Sequence, residues 1–246
     1  MSVFRDVRER FLLAAAIAAL VLIVLINLKL SVWPWLDGGL VAAFLRAEPT
    51  ASVSNDLLIG LFSAYVFYVF VELLPRNRKE QQTLTPLNLI IASIVNAFEE
   101  GSPFAHETPI TSIGLQILTI DNIKANIESV ISKPDLLNLK AAMETAHSRY
   151  PDFQHCLPMA ATISPAHALA WLVLTDKVRL LAEEYNSWPV NPFDKNPSGE
   201  PEGGQRYDSE CIAAYDKYKV DILNATHALR QRVMEFLEAT SRWLRV

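Results

Sequence analysis

"SAYVFYVFVELLPRNRK", Ser63 to Lys79, opens as an aromatic, apolar run and carries one carboxylate, Glu72, near its end. It stops at Pro75 and turns basic through Arg76, Arg78 and Lys79. Extended back to Leu57, the run reads as a membrane span over about 57–74. A second such run lies upstream. Phe11 to Leu28, "FLLAAAIAALVLIVLINL", holds one polar residue, Asn27, and at 1.5 Å per residue spans roughly 27 Å against a hydrocarbon core of ~30 Å. A cleaved signal peptide is the competing reading. The basic start fits it, but "LKLSVWPW" follows where a small-x-small cleavage site belongs, so an uncleaved anchor is favoured.

Between the two runs, Trp33 and Trp35 suit an interfacial aromatic belt, and Gly38 to Leu45 suits a short helix on the outer leaflet. Arg5, Arg8 and Arg10 precede the first span, and Arg76, Arg78 and Lys79 follow the second. The connecting loop has only Lys29 and Arg46, so both termini are expected in the cytoplasm. The expected plan is mainly α: a two-helix transmembrane hairpin over 1–79, with spans about 11–28 and 57–74, then a cytosolic helical bundle over 80–246. "AATISPAHALAWLVL", Ala160 to Leu174, is interrupted by Pro165 and His167 and reads as a core helix, not a third span.

On a helical wheel Leu61, Tyr65, Tyr68 and Glu72 follow i, i+4, i+7 and i+11 and share a face. Gly60 and Ala64 form a small-xxx-small pair suited to close helix contact. An ionisable group inside a span is a functional candidate, but Glu72 lies about one turn from the cytoplasmic end, within reach of the headgroups. Two readings follow: Glu72 pairs with Arg8 and Arg10 to set helix register, or Tyr65, Tyr68 and Glu72 line a pore or subunit interface.

The chain of 246 residues has a formal net charge of -5, which argues against direct nucleic-acid binding. Its eight glycines leave a gap from Gly114 to Gly199, which helices tolerate better than hairpins do. Cys156 and Cys211 read as small hydrophobes. In the cytosolic part Thr85 and Pro86 are expected to open a helix with Leu87, Ile90, Ile91, Ile94, Val95 and Phe98 on its apolar face, ended by Gly101. Ile110 to Ile120 is open between strand and helix. Asp121 is expected to cap a helix carrying Ile123, Ile127, Val130 and Ile131, and "PDFQHCLP" to form a loop. Ser164 and Pro165 open a further helix. An exposed loop is expected over about 187–207. Tyr215, Ile222, Leu229, Phe236 and Trp243 recur every seven residues, with Ile212, Lys219, Thr226, Val233 and Thr240 as a mixed second column, which predicts a long terminal helix.

No Gly-rich phosphate loop, H-E-x-x-H, G-x-S-x-G or C-x-x-C is present, and no spaced ligands flank His155 and Cys156. No cofactor or metal is expected. "RYPDFQH" places Arg149 six positions before His155 and resembles the arginine-to-histidine spacing of HEPN-type helical ribonucleases, where that pair implies RNA cleavage. Pro151 and Tyr150 depart from that family's pattern.

The layout of the whole chain resembles the two-transmembrane effectors of bacterial anti-phage systems, including those of retrons. That resemblance implies an inner-membrane toxin whose cytosolic domain senses, or is restrained by, a protein partner, and whose spans perturb the bilayer on activation and self-association. The alternative is a membrane-anchored scaffold or receptor whose helical domain docks a protein.

Overall fold

A computed structural model describes residues 7–27, 48–190 and 209–246. It is mainly helical, with no strand among the described residues. Two compact units divide the chain, Met1–Gln81 and Gln82–Val246.

In the first unit α1, Val7–Asn27, packs against α2, Glu48–Tyr68. The side chains that α1 buries are small: Ala16 and Ala19 are almost wholly covered. α2 begins earlier than the span expected over about 57–74 and takes in Pro49. A π-helical segment, Val69–Leu73, follows α2, and α3, Leu74–Glu100, follows that. Among the described residues one helix is long and apolar enough to cross a membrane, the run Asp56–Glu100, where the sequence predicts a two-helix transmembrane hairpin. The uncharged part of α1 is Phe11–Asn27. Leu28, the tryptophans 33 and 35 and the stretch 38–45 lie outside the described residues.

α3 also departs from expectation. It runs unbroken through "KEQQTLTP", with Pro86 in its interior instead of its first turn. Proline there deprives the Gln82 carbonyl of its usual donor. Gly101 ends α3 as predicted, at φ 59, and its amide closes on the Ala97 carbonyl at 3.0 Å. Any Cβ at Gly101 would collide with the Asn138 side chain.

The second unit is built from the latter part of α3 with α4 (Ile120–Ser132), α5 (Leu136–His155), α6 (Leu157–Ile163), α7 (Pro165–Ser187) and α8 (Ser209–Trp243). All six apolar residues predicted on the face of α3, from Leu87 to Phe98, are buried. The segment 110–120 is neither strand nor α-helix until its last residue: short 3-10 turns occupy Ile110–Ser112 and Leu115–Ile117. Thr119, not Asp121, caps α4, accepting from the Asn122 amide at 3.2 Å. Ile131 is exposed and Asn126 is buried instead. Glu99 explains the exchange, since its Oε1 accepts from Asn126 at 2.7 Å and from Asn122 at 2.6 Å.

α5 carries a second correction. The loop expected at "PDFQHCLP" is helical, because α5 continues through Pro151 to His155. Packing outweighs the proline here. Phe153 is fully buried and stacks on Trp171 at 5.1 Å, and the Trp171 indole donates to the Phe153 carbonyl at 2.9 Å, near the end of α5 where carbonyls lose helical donors. Trp243 meets Trp171 edge-on and donates to Asn88 at 2.8 Å, which ties α8 to α7 and α3. Ser164 caps α7 as predicted, accepting from the His167 amide at 3.1 Å. The heptad of α8 is only half used. Leu229, Val233, Phe236, Thr240 and Trp243 are buried, whereas Tyr215, Ile222 and Thr226 are half-covered and Lys219 is exposed. The loop expected over 187–207 falls mostly outside the described residues.

Candidate functional site in the apolar helix pair

The predicted stripe on α2 is only partly inward. Tyr65 and Tyr68 are half-buried, while Leu61 and Glu72 are exposed. The π segment is the cause. It holds one more residue per turn than an α-helix, so side chains beyond it lag by about one position, roughly 100°. Leu73 therefore takes the covered position and Glu72 turns away. Pro75 gives the local reason for the wide turn: it lacks the amide that would pair with Val71, and its ring would crowd that carbonyl.

The acid that does meet the stripe is one the sequence reading missed. Glu9, on the first turn of α1, is buried, and its Oε1 accepts from the Tyr68 hydroxyl at 2.6 Å. This joins the end of α2 to the start of α1, so the two helices run antiparallel. Glu9 Oε2 is buried and has no hydrogen-bond partner among the described residues. A signal was present, since Glu9 stands between Arg8 and Arg10 at the rim of an apolar run, but its flanking charges suggest a solvated turn. The side chain of Arg8 lies outside the described residues.

Gly60 and Ala64 lie on the exposed side of α2, and a Cβ at Gly60 would meet nothing within 4 Å. The small residues between α1 and α2 are Ala16 and Ala19 instead. Of the basic group, Arg76 pairs with Glu80 at 3.3 Å one turn on, and Arg78 and Lys79 are exposed.

Arg149 and His155 share α5 but do not converge. Six residues on a continuous helix set them roughly 120° apart. Arg149 donates to the Thr108 carbonyl at 3.2 Å and lies 3.8 Å from Asp152, whereas His155 is exposed at the helix end. Burial, and secondarily the charge of Asp152, pushes the Cys156 thiol above its ordinary value. Among the described residues no three His, Cys, Asp or Glu side chains group as a metal site.

No family model, curated protein or solved structure matches the chain.

Proposed function

We propose that the protein is a membrane-anchored effector of a bacterial defence or toxin system. Its helical domain senses, or is restrained by, a protein partner, and its apolar helices perturb the inner membrane on activation. The observation that carries this reading is the inverted surface of the first unit. Phe11, Leu57, Phe67, Phe70 and Val71 are each more than half exposed, while the covered residues are Ala16, Ala19, Leu73 and Glu9, the last held by Tyr68. A continuous apolar exterior of this kind is unfavourable in water and matched by lipid. On this reading α1 and α2 form the two-span hairpin, with Arg8, Arg10, Arg76, Arg78 and Lys79 on the cytoplasmic side.

The scaffold reading has its own support in the second unit. Leu169, Leu172 and Val173 form an exposed apolar patch on α7, suited to a protein partner. Expression in cells separates the two. An effector depolarises the membrane as the full chain and not as a chain beginning at Gln82. A scaffold keeps its function when α1 and α2 are replaced by unrelated spans. Absence of depolarisation by the full chain at every expression level removes the effector reading.

A further inference from the structure

The π segment offers two registers for one stretch of sequence. In the structure Leu73 is covered and Glu72 is exposed. Without the extra residue in the turn, Glu72 stands four residues after Tyr68 on an α-helix and rotates toward α1, while Leu73 rotates away. We infer that Val69–Leu73 is a register switch, whose π form keeps Glu72 out of the helix contact and whose α form carries Glu72 in beside the Tyr68–Glu9 pair.

The chemistry of the contact sets the resting form. Glu9 is already buried there, with one oxygen held by Tyr68 and the other without a hydrogen bond among the described residues. A second carboxylate brought to the same place repels the first, and burying it displaces Leu73 from its covered site. Pro75 acts in the same direction, because the widened turn relieves its clash with the preceding turn. Wide turns of this type are frequent at functional sites. The two forms differ in which side chain faces α1, so a contact that prefers one of them shifts the population. The link from register to membrane damage rests on the effector reading; the register itself does not.

The test uses the full chain in membranes, in a Cys156→Ala, Cys211→Ala background. Glu72→Cys and Leu73→Cys are labelled separately with a maleimide, with and without Pro75→Ala, which restores the amide that an α-helical turn pairs with Val71 and removes the ring that favours the wide turn. Glu72→Cys is expected to label faster by about tenfold with Pro75 in place, and Leu73→Cys faster by a similar factor in the Pro75→Ala chain. An unchanged order overturns the switch. Membrane potential is measured in parallel on the cysteine-free Pro75→Ala chain, and on the exchange Glu72→Leu with Leu73→Glu, which moves the acid inward without changing the backbone register. Both are expected to depolarise cells at expression levels where the unaltered chain does not. An inverted labelling order with depolarisation equal to that of the unaltered chain overturns the regulatory role. If the unaltered chain itself never exceeds the chain beginning at Gln82, the effector reading fails separately, and the labelling order still decides the register.

Discussion

In the first unit Phe67 and Phe70 face outward while Ala16 and Ala19 are covered; in the second, Trp171, Phe153 and Phe236 are covered and the exterior carries ion pairs such as Arg179 with Asp176 and Glu183. On the membrane reading proposed above, the same physics produces both arrangements in different solvents. In water, large side chains leave the surface because each fully buried one contributes about 1.5–3 kcal/mol. In lipid that gain disappears, so helices associate through small residues and through polar groups that lack an alternative partner.

This contrast is open to measurement, and the largest effect belongs to the second unit. Trp171→Ala is expected to lower its stability by about 3–5 kcal/mol, read by denaturant unfolding, because it leaves a cavity and orphans the Phe153 carbonyl. Phe67→Ala, at a comparably large residue of the first unit, is expected to leave unfolding unchanged. A large loss there would mean that Phe67 is covered by protein. Next in size is Tyr68→Phe, which removes a hydrogen bond to a carboxylate, about 1.5–3 kcal/mol by the usual range. The expected outcome is looser pairing of α1 with α2, read as reduced disulfide trapping between cysteines introduced at Ala16 and Phe62.

Gly101→Ala tests the boundary of the helical domain. The residue sits at positive φ against Asn138, so a loss of about 1–2 kcal/mol is expected in thermal unfolding. Smaller still is Glu235→Gln. Burial pushes that carboxyl up, but hydrogen bonds from Gln231 and Lys177 and the charges of Lys177 and Arg232 outweigh it, and its pKa is held below the ordinary value. A depressed carboxyl contributes stability above its unfolded value and loses it as the pH falls through its folded value. The variant should therefore be less stable than the parent by up to about 1 kcal/mol at neutral pH, a figure limited by solvent screening, with the gap closing in acid. A gap that is constant across the pH range would show that packing, and not charge, joins α7 to α8 here.

Much of this architecture was legible in local spacing. The six apolar positions of α3, the Ser164 cap and the C-terminal half of the α8 heptad were all readable because periodicity reports which face of a helix is apolar. The prolines were misread for a complementary reason. Pro86 and Pro151 both signal a boundary by their chemistry, and both lie inside helices; at Pro151 the burial of Phe153 and its contact with Trp171 offset the lost backbone bond.

In the candidate site the sequence set Tyr65, Tyr68 and Glu72 on one face, whereas the structure half-buries the two tyrosines and exposes Glu72. A wheel assumes a constant rotation per residue, and the π turn violates that assumption at the position concerned. Composition and spacing alone established a helical chain with apolar runs ahead of Pro75 and a separate helical domain after them, because those properties depend on each residue and its near neighbours. Which acid enters the helix contact, Glu9 or Glu72, was settled only by tertiary structure. That choice depends on the register in which two helices meet, and register is a property of the pair.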